Sequence, residues 1–164
     1  MISLHGTLAV LLLATACGSQ PEPVVDSGVA RAALEAYLLS WNARDTSALS
    51  RALAPSMVYH YLGKDIPGDL AAHLKYLKQF GSGFPDLQAT VDVFTASGDL
   101  GAAVTTWTGT NTGVLCKAPA SGKKATWVVN YVFRISGGKI VELWEAWDEG
   151  GLYAQLGVDA SKCE

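Results

Sequence analysis

Apolar residues recur at Ala30, Leu34, Tyr37, Leu38 and Trp41, one face of a helix, and predict a helix over Gly28–Arg44. Asp45-Thr46-Ser47 offers an N-cap for a short second helix that runs to about Leu53 and is stopped by Pro55. Met57–Leu62, short and rich in Val and Tyr, reads as a strand, and Gly63–Pro67 as a loop. Pro67 opens a third helix in which Leu70, Leu74, Leu77 and Phe80 share a face, ended by Gly81-Ser82-Gly83.

After Pro85 the period changes from helix to strand. Leu87–Thr95 alternates, Ser97-Gly98-Asp99 turns, Ala102–Thr112 is rich in Thr and Val, and Lys124–Ile135 alternates again. Ile140–Asp148 is the last long strand. Gly137-Gly138 between Ser136 and Lys139 signals a two-residue hairpin, which pairs Phe133 with Glu142, Tyr131 with Trp144, Val129 with Ala146 and Trp127 with Asp148. Helices followed by an antiparallel sheet make the fold class α+β.

In that register one face of the hairpin carries Trp127, Val129, Tyr131 and Phe133 beside Glu142, Trp144, Ala146 and Asp148. The other carries Val128, Asn130, Val132 and Arg134 beside Val141, Leu143, Glu145 and Trp147, also mixed, so pattern alone leaves open which face is covered. A carboxylate among aromatic rings has a raised pKa and can move protons near neutrality. Glu142 reads more readily as a solvated or salt-bridged residue, and Asp148, before Glu149-Gly150-Gly151, reads equally as a cap for a following short helix.

Composition narrows the setting. With 49% hydrophobic residues, five Trp and six Tyr, the chain holds one well-filled core and is not disordered. A net charge of −3, with no basic block longer than Lys123-Lys124, argues against nucleic acid as a partner. The apolar run Leu8–Ala16 has the length of a signal-peptide core and falls short of the roughly 20 residues of a spanning helix. Ala14-Thr15-Ala16-Cys17, followed by the polar Gly18–Pro23 stretch, resembles a bacterial lipoprotein signal. The expected organisation is a signal over residues 1–16, a tether over 17–27 lipidated at Cys17, a domain over 28–158 and a tail over 159–164. Such a protein sits in the periplasm or cell envelope, anchored to the membrane by lipid; ordinary secretion and a cytosolic protein with an unusual start are the alternatives. Cys116 and Cys163 either pair in that oxidising compartment or remain separate thiols. Neither Cys-x-x-Cys nor His-x-x-x-His occurs, so no metal site is expected.

Phe84-Pro85-Asp86-Leu87, Trp107–Gly113, Pro119 with Gly122-Lys123, Gly138–Trp144 with Asp148, and Gly151-Leu152 with Gln155-Leu156-Gly157 stand in the order found in SnoaL-like ester cyclases. The chain resembles that family over about residues 28–158. The resemblance implies the nuclear transport factor 2-like fold, a cone-shaped α+β barrel with N-terminal helices packed on a curved antiparallel sheet around a pocket. It also implies cofactor-free acid/base chemistry of cyclase or isomerase type on a small apolar carbonyl or ester compound. By the same resemblance Asp148 and His60 are the catalytic candidates, and Trp107, Asn111, Trp127, Tyr131, Glu142 and Trp144 the substrate-binding ones. A ligand-binding module of the same fold without catalysis is the alternative. The family resemblance further implies a possible homodimer through the outer sheet face, at Val128, Val132, Leu143 and Trp147.

Overall fold

In the computed structural model, which describes residues 27–61, 64–66, 69–115 and 118–159, helix α1 spans Ser27–Ala43 and buries Ala30, Leu34, Tyr37, Leu38 and Trp41 along the expected stripe. Residues 1–26, Cys116 and the tail from residue 160 lie outside the described residues, and with them the signal, Cys17 and Cys163. Arg44, in the left-handed region at φ 55°, closes α1. Helix α2 (Thr46–Ala52) follows at once, capped as expected by Asp45, whose carboxylate accepts from the Ser47 N–H at 2.8 Å.

Strand β1 (Leu53–Tyr61) begins without a loop, four residues before the expected Met57. Pro55 is tolerated because pairing with the neighbouring strand is broken between Leu53 and Val58, where its missing N–H costs no ladder bond. A short strand, β2 (Lys64–Ile66), then pairs with β1, and helix α3 covers Leu70–Gly83. Asp69 caps its start, accepting from the Ala72 N–H at 3.0 Å; Pro67 lies outside the described residues. Strands β3 (Gln88–Ser97), β4 (Leu100–Thr110), β5 (Lys124–Ser136) and β6 (Lys139–Trp147) precede helix α4 (Glu149–Leu156).

The strands form one curved, unclosed sheet in the order β2-β1-β6-β5-β4-β3. Four of its five pairings are antiparallel; β1 and β6 run parallel, so the expectation of a wholly antiparallel sheet is corrected at that one seam. Helix α1 lies against β3, β4 and β6, and α3 against β1, which puts the core on the concave side. Phe133 of β5 is fully buried opposite Gly101 of β4; a Cβ at position 101 would run into the Phe133 ring.

The β5–β6 hairpin turns as expected at Gly137 and Gly138, with φ of 57° and 74°, and pairs Ser136 with Lys139 and Ile135 with Ile140. The register then shifts, and Arg134 meets Glu142, Val132 meets Trp144, Tyr131 meets Glu145 and Val129 meets Trp147. Val141 is the extra residue of this bulge, and one inserted residue turns every later side chain to the other face. The predicted Tyr131–Trp144 and Trp127–Asp148 pairs are therefore not formed. Leu143, Glu145 and Trp147 point inward and are buried, while Glu142 and Trp144 belong to the outer face. The predicted outer patch is corrected likewise: Val128 and Val132 are exposed, Leu143 and Trp147 are not.

β6 ends opposite Val129, leaving β5 without a partner on that side from Lys124 to Val128. The Gln155 carboxamide of α4 fills the place, accepting from the Thr126 N–H and donating to the Thr126 carbonyl, each at 3.0 Å. Gly157, in the left-handed region at φ 69°, ends α4.

Candidate functional site

Aromatic side chains from both helices and sheet surround a hollow on the concave side. Tyr37 and Trp41 come from α1, Tyr76 and Phe80 from α3, Trp107 from β4, Trp127, Val129 and Tyr131 from β5, and Glu145 and Trp147 from β6. These rings meet largely edge to face, as in Trp41–Trp107 at 5.4 Å and Tyr37–Tyr131 at 5.8 Å between centroids, the arrangement their quadrupoles favour. The innermost space is about 20 Å³, room for one water molecule, and it widens to about 260 Å³ when the volume continuous with solvent is included.

Glu145 is the acidic side chain of this wall, and only 8% of its surface is exposed. Across the sheet it faces Tyr131 on one side and Tyr61 on the other. Burial among rings pushes its carboxyl up to about 7, opposed by a hydrogen bond from Tyr59. Burial, and after it the charge of Glu145, pushes the hydroxyls of Tyr37, Tyr59, Tyr76 and Tyr131 above the ordinary tyrosine range, so they stay protonated donors. His73 of α3, also buried, lies edge-on to Tyr59 at 4.6 Å, and burial pulls it down to about 4, so it is neutral at pH 7.

The indole nitrogen of Trp41 is a buried polar atom behind this wall. Trp41 is 2% exposed and its Nε1–H has no hydrogen-bond partner; the Tyr37 side chain is near, but not in a geometry that makes the bond. By contrast the Trp107 Nε1–H donates to Thr105 Oγ1 at 2.8 Å, and Thr105 in turn donates to the Val129 carbonyl at 3.0 Å.

Of the residues singled out from sequence, Trp107, Trp127 and Tyr131 line the hollow. The others lie elsewhere. His60 sits on the outer face, stacked on Trp144 with 4.8 Å between ring centroids, its Nε2 2.9 Å from Glu142 Oε1. Glu142 also accepts from Arg134 Nε at 3.2 Å, and Arg134 is held on its far side by Asp99. Hydrogen bonding from His60 and Arg134 keeps the Glu142 carboxyl below the usual range, so it is a structural anion and not a proton donor. Asn111 is buried but spent on loops, donating to the Gly83 and Gly113 carbonyls at 3.1 and 2.9 Å and accepting from the Ser121 N–H at 2.8 Å.

Asp148 is exposed and caps α4, accepting from the Gly151 N–H at 2.8 Å. It borders a second, larger depression of about 600 Å³, but that one is an open surface with the acid committed to its cap. Glu145 is the residue that sequence reasoning missed as a site candidate. The signal was present in the strict alternation Leu143, Glu145, Trp147, which continues an apolar face, but choosing that face required knowing of the Val141 bulge.

The SnoaL-like polyketide cyclase family model matches residues 31–156. Among solved structures the chain is similar to AclR from Streptomyces galilaeus, a proposed hydroxylase, with 25% identity and a TM-score of 0.73 over 80% of this chain and 83% of that one. It is also similar to IdmH from Streptomyces antibioticus, a proposed polyketide cyclase, with 28% identity and a TM-score of 0.68 over 78% and 98%. A Mycobacterium tuberculosis epoxide hydrolase of the LEH-like type, 17% identical over 79% and 90% with a TM-score of 0.62, shares the fold. No curated protein matches. An aromatic hollow on the concave side of such a sheet, within a match that spans most of the chain, leads to one conclusion: the protein belongs to the SnoaL-like polyketide cyclase family.

Proposed function

We propose that the protein is an acid/base catalyst of cyclase or isomerase type, acting on a small apolar carbonyl or ester compound, with Glu145 as the proton-transfer group. The observation that carries this reading is a carboxyl buried in an aromatic hollow and poised near neutrality. Such a group is ionised often enough to remove a proton from a carbon beside a carbonyl, and acidic enough to return it. Removal leaves an enolate on the substrate and the proton on Glu145 Oε; return of that proton to another carbon completes an isomerisation, whereas attack of the enolate on a second carbonyl forms the ring bond and the resulting alkoxide takes the proton back from Glu145. A step that moves one proton and one carbon–carbon bond needs no redox group. The tyrosine hydroxyls and the neutral His73 keep the surroundings uncharged, which strengthens every electrostatic contact with the reacting oxygen.

The anchoring expected at Cys17 belongs to the same proposal and places this chemistry at a membrane surface in the cell envelope. Proton NMR of a panel of cyclic ketones in D₂O tests the catalytic reading: the protein accelerates deuteration beside the carbonyl, and Glu145→Gln abolishes the acceleration. A wild type no faster than Glu145→Gln on every ketone it binds would instead make the protein a binding module.

A further inference from the structure

The innermost space of the hollow, about 20 Å³, takes one water molecule, and Glu145 is buried in its wall. A molecule larger than water reaches that carboxyl only if part of the wall moves. Most of the wall is held firmly. In the sheet, β4 and β5 are paired without a break from Leu100 to Thr110, and β6 joins β5 from Val129 to Phe133. Helix α1 buries its stripe from Ala30 to Trp41 and is pinned to β3 by Asn42, which accepts from the Ala89 N–H at 2.7 Å and donates to the Ala89 carbonyl at 3.0 Å.

Helix α3 is held firmly at one end. Towards its C-terminus Leu77, Phe80, Gly81 and Gly83 are buried, and the Gly83 carbonyl accepts from Asn111 Nδ2 at 3.1 Å and from the Gly113 N–H at 3.3 Å. Between Leu70 and Tyr76, by contrast, His73 is the one buried residue; Leu70, Leu74 and Tyr76 are half-buried and the rest exposed. Among the described residues no hydrogen bond holds the His73 ring. It rests edge-on against Tyr59, 4.6 Å between centroids, as Tyr76 rests against Trp41 at 5.6 Å. A buried imidazole without hydrogen bonds is a weak tether, because water restores on exposure what burial removed. Tyr59, beneath His73, is the residue hydrogen-bonded to Glu145, so this half of α3 covers the approach to the acid.

We propose that the N-terminal half of α3, Leu70–Tyr76, is the lid of the hollow: it pivots on the pinned Gly83 end, lifts His73 from Tyr59 and Tyr76 from Trp41, and admits the substrate to Glu145. This rests on the reading of Glu145 as the proton-transfer group and adds the route by which a substrate reaches it. Phe80, close to the pivot and packed on Phe84 at 5.2 Å and Trp127 at 6.0 Å, keeps its place while the far half swings.

Relaxation dispersion on full-length protein with ¹³C-labelled leucine methyls reads motion on the timescale of lids. The expected result is dispersion at Leu70 and Leu74 with one shared exchange rate, and flat profiles at Leu34 of α1 and Leu143 of β6. In His73→Leu, which puts an apolar side chain in place of the imidazole, the open population falls about ten-fold. The rate of ketone deuteration at low ketone concentration falls with it, although Glu145 is untouched. Flat profiles at Leu70 and Leu74 in the wild type overturn the lid. So does a His73→Leu protein whose dispersion shrinks while its deuteration keeps the wild-type rate, because the substrate then enters elsewhere. A wild type that shows the dispersion but deuterates no ketone sinks the catalytic reading and leaves the lid standing on its motion. Should His73→Leu not fold, Tyr76→Ala, which deletes the ring on Trp41, replaces it: the dispersion at Leu70 and Leu74 grows, and an unchanged amplitude overturns the lid.

Discussion

Glu145 of β6 lies directly opposite Tyr131 of β5, in the middle of the sheet and on its concave face. The pair brings a carboxyl whose pKa is raised by burial against a phenol whose pKa is raised by the same burial and by that carboxyl. Burial holds Glu145 protonated until the pH approaches 7, and above that its charge adds to the burial that keeps Tyr131 protonated.

A raised carboxyl leaves a mark on stability. In the unfolded chain Glu145 titrates near 4.5, in the folded protein near 7, so its contribution is full below pH 4.5 and is lost as pH rises through 7. The loss is on the order of 3 kcal/mol. Melting curves from pH 5 to pH 8 show this decline in the wild type, and Glu145→Gln, which cannot ionise, flattens it.

The outer-face network behaves in the opposite sense. Glu142 is held below its ordinary value, so its contribution is present above pH 4.5 and is lost as pH falls through the depressed pKa. His60→Phe keeps a ring on Trp144 but removes the bond to Glu142; it costs about 1 kcal/mol in a denaturant titration and leaves the rate of ketone deuteration unaltered.

Asp148→Ala removes the α4 cap and lowers stability by about 0.5–2 kcal/mol, with Asp148→Asn losing far less because Asn caps nearly as well. Ketone deuteration by either folded variant stays at the wild-type rate. A large loss of rate in Asp148→Asn with unchanged melting would return the catalytic role to Asp148.

At the β4–β5 contact, Gly101→Ala forces the Phe133 ring from its place and costs about 1–3 kcal/mol in thermal or chemical unfolding.

Cys17→Ser releases the protein from the membrane fraction to the soluble one if the lipid anchor is as proposed. A wild type that already fractionates as soluble with an unmodified Cys17 thiol rejects the anchor.

Helix faces were legible because five apolar residues of α1 fall on one stripe, and the Asp45 cap because a short side-chain acceptor is chemically distinctive at a helix start. The Gly137-Gly138 turn was legible for a similar reason: two successive residues at positive φ ask for glycine. The bulge was not, since Val141 is as good a strand residue as its neighbours and nothing in its chemistry marks an unpaired position. That one residue decided the site. It turned Glu145 and Trp147 inward and Glu142 and Trp144 outward, while Trp107, Trp127 and Tyr131, whose strands carry no such slip between them, stood where the alternation placed them. The Asp69 cap of α3 was not read from the sequence, although its carboxylate, three residues before Ala72, is the same kind of acceptor as Asp45.

Thr126 and Gln155 have a consequence for how the protein behaves in company. Between Lys124 and Val128, β5 has an open flank that any extended chain of suitable register could extend. The Gln155 carboxamide occupies the donor and the acceptor at Thr126, the middle of that flank, and α4 fills the approach to it. An amide borrowed from a side chain thus serves as a one-residue strand with no further neighbour to recruit. Gln155→Leu would leave the N–H and the carbonyl of Thr126 without their side-chain partner, and α4 alone would then keep a further strand from that edge.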